Sequence, residues 1–481
     1  MIMEEYIRML LEQVRFQKAH KAIGDEIRTH IEDQVQANIS EGMDKETAEK
    51  RAVEDMGDPV EAGIRLDKVH RPQIAWGVII IAIVVGVLGA IVNGMLSKQP
   101  AEATYNNIVY SVNVRGGESY IYDAILGIFV MLILYLIDFT TVAKYSRVAA
   151  IMLLVSYIFS SFVTNKRAMM LSTDYYAELP KAYMFLYKIF SWSSPMMFWM
   201  VPFFAGILYK YRGQKSRAVI KALLWIVATG RIAAEAQMTY RTVVILICML
   251  VELTIAINKG WIKVPKIPTV VSVWSLFTVI PMGITWFRYK HRLMDLNGMS
   301  IVRSWIVPDS DMRQTREILG GMNLIGSGMI RSFGGKITVP TSNYVHGNYG
   351  REYVLTDIIA LWGLLATLVA ITAVAALIVF GFVTISKTKN QLGIVMGSGC
   401  MMWLAVNAIF NAGVGFGIFH SCYWSFFPFI AQRKIVASYA ILGIILSIYK
   451  YKNAYSEHVD ICIDKKMKVL DLQNILRIRG D

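Results

Sequence analysis

The pattern of apolar and polar positions changes character once along this chain, near residue 72. Before that point, apolar residues recur at helical spacing against a charged background. Tyr6, Met9, Leu10, Val14 and Phe16 fall mostly on one helical face, with Glu5, Arg8, Glu12 and Arg15 largely opposite. Ile27, Ile31, Val35 and Ile39 repeat every fourth residue in a second helix, which Gly42 stops. Asp44 caps a third, which Gly57 ends. The run Gly57-Asp58-Pro59-Val60-Glu61 then reads as a cap aspartate, a proline at the first helical position and a glutamate three residues after the cap, which starts a fourth. Four short helices with one apolar face each can bury a common core, so residues 1–72 are expected to form a small soluble helical domain.

From residue 73 the alternation gives way to apolar runs of about 20 residues, the length that crosses a bilayer as a helix. They lie near 74–95, 119–138, 147–164, 184–208, 217–234, 240–258, 267–287, 353–385, 392–418 and 432–449. The run at 353–385 is overlong, and Lys221 and Arg231 interrupt the one at 217–234. The expected fold class is all-α: a polytopic membrane protein with about ten transmembrane helices over 73–450, preceded by the helical domain and followed by a tail, 451–481.

Composition agrees with lipid as the main solvent. Hydrophobic residues make up 55% of the chain and charged residues 17%, with a mean hydropathy of +0.45. The formal charge of +14 points to anionic membrane lipid and not to nucleic acid, because Lys and Arg cluster at the ends of apolar runs. Lys144 with Arg147, then Lys210, Arg212, Lys215 and Arg217, then Lys259, Lys263 and Lys266, then Lys387 and Lys389 occupy alternate short loops. By the positive-inside rule those loops face the cytoplasm, as do both termini, and residues 288–352 form a long external loop. Residues 1–72 contain no uninterrupted signal-peptide core, so the first span is expected to act as its own signal. Cys248, Cys400, Cys422 and Cys462 form no CxxC pair, and the first three sit in or beside apolar runs as small hydrophobes. His20, His30 and His70 are scattered on the soluble helices and read as solvated.

Candidate chemistry concentrates in the external loop and its exit into the eighth span. Arg303, Arg313, Arg316, Arg331, Lys336 and Arg351 stand there beside Asp309, Asp311, Glu352 and Asp357. Guanidinium forks pair with phosphate, and a carboxylate can accept a proton from an attacking hydroxyl, so the set suits an anionic lipid head group. The plainer reading is a solvated loop with ordinary surface charge. The glycine-rich GGMNLIGSGMIRSFGGK, residues 320–336, lacks the GxxxxGK[ST] spacing of a nucleotide loop and reads as a re-entrant or lipid-lying segment. No cofactor is evident, although a divalent cation bridging a pyrophosphate and one carboxylate is compatible with these residues. Inside the spans, Arg231 and Glu252 have functional and structural readings of equal weight. The end of the tail alternates apolar and basic residues, as a segment lying on the inner leaflet would.

Two resemblances extend this reading. His30-Ile31-Glu32-Asp33, Gly42, Ala48, Ala52 and Met56-Gly57-Asp58-Pro59 resemble the permease-prefix helical domain that precedes many membrane proteins of Gram-positive bacteria, which implies a cytoplasmic adaptor or regulatory module. Arg303 to Trp305, Pro308, Asp309, Gln314 and Leu324-Ile325-Gly326-Ser327-Gly328 resemble the stretch after the seventh span in the SEDS family of cell-wall proteins (FtsW, RodA and SpoVE). Ile137-Asp138-Phe139, Asn407, Asn411, Phe427-Pro428-Phe429-Ile430 and residues 441–450 extend the similarity over most of 74–450.

The resemblance implies ten spans, a large loop between the seventh and eighth, and polymerisation of the lipid-linked disaccharide of peptidoglycan in division, elongation or sporulation. It also implies a transpeptidase partner, a class B penicillin-binding protein, in the plasma membrane of a bacterium. The family's proposed base opens a T-D-F-I-F motif. Aligned on Trp362-Gly363, that base is Glu352; aligned on Thr356-Asp357-Ile358-Ile359, it is Asp357. The family's paired glutamates in the eighth span correspond to Ala360 and Leu361. A transporter of the lipid-linked precursor and a non-catalytic scaffold for envelope assembly are the alternatives.

Overall fold

The computed structural model describes residues 2–96, 102–105, 108–111, 117–173, 181–190, 195–234, 239–280, 283, 287, 310–332, 337–341, 352–419, 426–431 and 434–459. The first four helices are α1 (Met3–Glu12), α2 (Gln17–Ser40), α3 (Lys45–Asp55) and α4 (Pro59–His70). From the end of α2 onward, the boundaries of α3 and α4 have the local causes expected from the sequence. The Asp44 carboxylate accepts the Thr47 amide, and the Asp58 carboxylate accepts those of Val60 and Glu61 ahead of Pro59. Gly42 and Gly57 take positive φ where α2 and α3 end. Tyr6, Leu10, Ile23, Ile31, Ala52 and Val53 close the core. Arg15 ties its two ends together, with its backbone amide 3.0 Å and its Nη2 2.7 Å from the Asp67 carboxylate.

The apolar runs become α5 (Trp76–Leu96), α6 (Gly117–Leu136), α7 (Phe139–Thr173), α8 (Lys181–Phe190), α9 (Met200–Tyr209), α10 (Ser216–Ala234), α11 (Thr239–Asn258) and α12 (Lys266–Phe277). After these come α13 (Ser310–Gly320), α14 (Val354–Trp362), α15 (Leu364–Ser386), α16 (Gln391–Gly415) and α17 (Ile435–Lys450). Four of them, α5, α7, α15 and α16, are long and apolar enough by themselves to cross a membrane. Helix α16 is the axis: about 37 Å long by its 1.5 Å rise per residue, it packs against α9, α11, α15 and α17. Helices α5, α6, α7 and α15 turn Ile80, Ile83, Phe129, Val155, Val369 and Phe380 outward, as lipid-facing surfaces do.

The structure corrects the sequence reading in five places, one of them His70, which is buried at the end of α4 with its Nδ1 3.0 Å from the Leu66 carbonyl and not solvated. The overlong run at 353–385 is two helices, α14 and α15, broken at Gly363. The fourth run is also broken: α8 is followed by a 3-10 turn, Pro195–Trp199, before α9. Lys144 and Arg147 lie inside α7, which starts directly after Asp138, and not in a loop. Two antiparallel hairpins, β1 (Glu102–Tyr105) with β2 (Ile108–Ser111) and β3 (Met329–Ser332) with β4 (Ile337–Pro340), add to the helices among the described residues. In contrast, Lys221 does not break α10; its ammonium runs back to Gln214 Oε1 at 3.2 Å, as a snorkelling lysine does.

Two polar joints fix the ends of the bundle. At one end Phe429 adopts φ 63°, and its carbonyl accepts the Tyr120 hydroxyl at 2.6 Å while that of Ile430 accepts Asn93 Nδ2 at 2.7 Å. At the other end the first four helices meet residues 450–459. Phe16 stacks on Tyr451 with centroids 5.7 Å apart, Asn453 Nδ2 donates to the Val69 carbonyl at 3.0 Å, and Lys18 Nζ lies 2.8 Å from the Asp138 carboxylate.

Candidate functional site

Glu352 precedes α14, and both it and Asp357, in the first turn of that helix, are buried. Two hydrogen bonds anchor this segment to the last turns of α16. Asn411 Nδ2 donates to the Glu352 carbonyl at 2.8 Å, and Thr356 Oγ1 donates to the Gly415 carbonyl at 2.9 Å. Leu355 then fills the space a Cβ on Gly415 would need, 2.9 Å from its own Cβ. Asp357 sits at the positive end of the α14 dipole, a position that favours a carboxylate.

A third element reaches the same stretch of α16. Arg316 Nε, from α13, donates to the Gly417 carbonyl at 3.0 Å, where Gly417 turns the chain with φ 61°. Ile318 of α13 packs with Ile359 and Ala360 of α14. Residues 411–417 therefore receive Glu352 and Thr356 from one side and Arg316 from another. Arg313, one turn earlier on α13, shares the face of Arg316, and both side chains are exposed. Arg331 lies on β3, paired in register with Thr338. Arg303, Lys336 and Arg351 fall outside the described residues.

The glycine-rich stretch is a splint for the helix break. The carbonyls of Asn323 and Leu324 accept the amides of Leu364 and Leu365, each at 3.0 Å, and the Gly326 amide donates to the Trp362 carbonyl at 2.9 Å. These are the loose groups that a broken helix leaves behind. The side chains of Leu324 and Ile325 point outward, 63% and 71% exposed, so the segment covers a joint while presenting an apolar edge. Thr341 closes the hairpin side: its Oγ1 accepts the Gly328 amide and donates to the Ala360 carbonyl, each at 2.8 Å.

Sequence reasoning singled out Glu352, Asp357 and Arg316 but gave no role to Thr356, Gly415, Gly417 or Thr341, whose contributions are hydrogen bonds between a side chain and a main-chain group far along the chain. Asn411 was visible only through the SEDS resemblance. Of the two intramembrane candidates, Glu252 is fully buried in α11, with neither carboxylate oxygen hydrogen-bonded among the described residues. It occupies a niche opened by Gly399 of α16, where a Cβ would come 1.8 Å from Oε1. Arg231 is exposed at the end of α10. Among the described residues no group of three His, Cys, Asp or Glu side chains could hold a metal ion.

The arrangement defines an all-α polytopic membrane protein whose apolar run at 353–385 is broken at Gly363 and preceded by a buried carboxylate. That architecture is shared with a solved chain from a work on "structural coordination of polymerization and crosslinking by a peptidoglycan synthase complex": TM-score 0.52, 12% identity, covering 80% of this chain and 99% of that one. A mutant of the rod shape determining protein RodA of Thermus thermophilus aligns with TM-score 0.46 and 10% identity, over 79% of this chain and 98% of that one. The resemblance to the SEDS family is thus borne out at the level of the fold. No family model matches the sequence, and no curated protein does.

Proposed function

We propose that the chain is a divergent SEDS-type glycosyltransferase. It extends a polyprenyl-pyrophosphate-linked peptidoglycan disaccharide at the outer face of a bacterial plasma membrane, with the first four helices and the tail in the cytoplasm. One observation supports this above the rest: Glu352 is locked through its own backbone to the end of α16, against which Arg316 of the loop is also pinned. That end lies a full span away from the face where the N-terminal helices sit.

In this reading the Glu352 carboxylate takes the proton of the acceptor sugar hydroxyl. The hydroxyl oxygen bonds to the anomeric carbon of the donor as the bond from that carbon to the lipid pyrophosphate breaks, and the pyrophosphate leaves with the electron pair. Arg313 and Arg316 stabilise the departing charge. Asp357, one turn into α14, orients the segment. A divalent cation, were one bound, would be held by the carboxylates near the start of α14 and would supply positive charge to the departing pyrophosphate. Crosslinking, which the similar complex couples to polymerization, would fall to a class B penicillin-binding transpeptidase. The prefix resemblance favours a Gram-positive origin.

The test supplies the purified full-length chain with labelled lipid-linked disaccharide, with and without a candidate transpeptidase. Polymer is expected, and Glu352→Gln is expected to lower its rate by about 100- to 10,000-fold, the range of a positioned general base. Asp357→Asn should cost less. Unchanged polymer length in Glu352→Gln removes that residue from the mechanism, and no polymer from the parent chain under either condition removes the whole reading. One observation favours transport of the lipid-linked precursor as a second reading: discontinuous helices such as the pair joined at Gly363 line the sites of many transporters. Lipid translocation in reconstituted vesicles without new glycosidic bonds would decide for it.

A further inference from the structure

Residues 450–459 touch both the N-terminal helices and the start of α16. On the first side, Phe16 stacks on Tyr451, Lys18 Nζ stands 4.7 Å above the same ring, and Asn453 bonds to the Val69 carbonyl. The Gln73 amide donates to the Lys450 carbonyl at 3.3 Å. Between the two sides lies Asp138. One of its oxygens caps α7 by accepting the Thr140 amide at 2.9 Å; the other accepts Lys18 Nζ and the Tyr455 hydroxyl together. Burial works against the Lys18 ammonium, but its hydrogen bond and charge pairing with Asp138 outweigh that and hold its pKa above the ordinary lysine value.

On the second side, the same ten residues complete the amino end of α16. The Gln391 amide, one of the donors a helix start leaves open, bonds to the Glu457 carbonyl at 3.0 Å. Asn390 accepts the Gly393 amide at 3.1 Å as the cap and uses its Nδ2 to hold the Ser456 carbonyl at 2.8 Å. The Glu457 carboxylate accepts from Gln391 Nε2, and Gln391 Oε1 in turn accepts from Trp261 Nε1. The Val459 amide donates to the Tyr209 hydroxyl at 2.8 Å, which adds α9 to the fastening.

We infer that residues 450–459 are a strap through which the N-terminal helices set the order of α16 and, at its far end, of the segment carrying Glu352. The geometry supplies each link. The strap satisfies the first turn of α16, α16 is one rod packed on four neighbours, and its last turns hold the Glu352 carbonyl and Thr356. Strap engaged, the helix is capped at its start and its end holds the carboxylate in place. Strap released, the first turn loses two acceptors and its cap loses its brace. The loosening passes along the rod to Asn411 and Gly415. Any event that pulls the N-terminal helices from Tyr451 would then lower the order of the site. As regulation this rests on the glycosyltransferase reading; as mechanical coupling it does not.

The experiment reads amide hydrogen exchange in the full-length chain in lipid nanodiscs. Two variants release the strap from opposite sides: Phe16→Ala with Lys18→Ala on the N-terminal helices, and Asn453→Ala on the strap itself. Each is expected to speed exchange by about tenfold at residues 391–394 and 352–357, with α3 and α5 unchanged. Normal exchange at 352–357 in both variants overturns the coupling. So does faster exchange at 352–357 that α5 shares, since that is general unfolding. If exchange responds as expected while the parent chain makes no polymer, the coupling stands and the glycosyltransferase reading falls.

Discussion

Glu252 and Gly399 occupy one space between α11 and α16, and the missing Cβ of the glycine is what lets the carboxyl sit there. Gly399→Ala forces the glutamate side chain to move in a region with no slack. The expected cost is about 1–3 kcal/mol, read as a lower melting temperature in detergent. Glu252→Ala in the same chain should recover most of that loss, because it empties the contested volume; additive losses in the double variant would show that the two side chains do not compete. The glutamate was conspicuous in the sequence as an ionisable group inside an apolar run, whereas the glycine was one of many small residues in a helix far along the chain. Glu352 and Asp357 were legible for a like reason, since carboxylates stand out at the mouth of a span. The roles of Asn411, Thr356 and Gly415 were not, because what they contribute is a contact between segments far apart in the chain, although the SEDS resemblance had drawn attention to Asn411 and to the motif holding Thr356.

At the scale of elements, residue spacing predicted four N-terminal helices, and the ends marked by Gly42, Asp44, Gly57 and Asp58-Pro59 were legible because those causes are local. The end of α1 at Glu12, short of Val14 and Phe16, and the start of α2 at Gln17 carry no such mark. The membrane helices were legible as existing but not as interrupted. The run at 353–385, at about 1.5 Å per residue, is roughly 50 Å long, well beyond the hydrocarbon core of about 30 Å. That excess was the available sign of the break at Gly363. The glycine has φ 86° and ψ −178°, a region essentially reserved for glycine. A Cβ there would also stand 2.8 Å from the carbonyl oxygens of Asn323 and Leu324. Gly363→Ala is expected to cost about 1–3 kcal/mol and to expose the Leu364 and Leu365 amides. Exchange at those two positions measures it, and protection equal to the parent chain would mean the splint tolerates a side chain.

Across the whole molecule, the charges that set orientation in the sequence belong to a chain whose N-terminal helices and residues 450–459 lie together at one end, with Glu352 at the other. The N-terminal unit carries its own pH signature. Hydrogen bonds from Arg15 hold the Asp67 carboxyl below the usual value of 3.8, and those from Thr47 do the same for Asp44. A carboxyl lowered in the folded state stabilises fully above its unfolded pKa, and that contribution disappears as pH falls through the lowered folded value. Pepsin cleavage within residues 3–70 of the full chain should therefore accelerate as pH falls below about 4. The acceleration should be weaker in Asp67→Asn; equal profiles would show that Asp67 does not contribute.

The splint at Gly363 has a consequence for ancestry. Its fastenings run from main-chain oxygen to main-chain nitrogen, so the letters at 323, 324, 364 and 365 can drift while the joint persists. A molecule assembled around joints of this kind can diverge until sequence comparison fails and still superpose on a distant counterpart. This chain superposes on the solved chain of the synthase complex at 12% sequence identity.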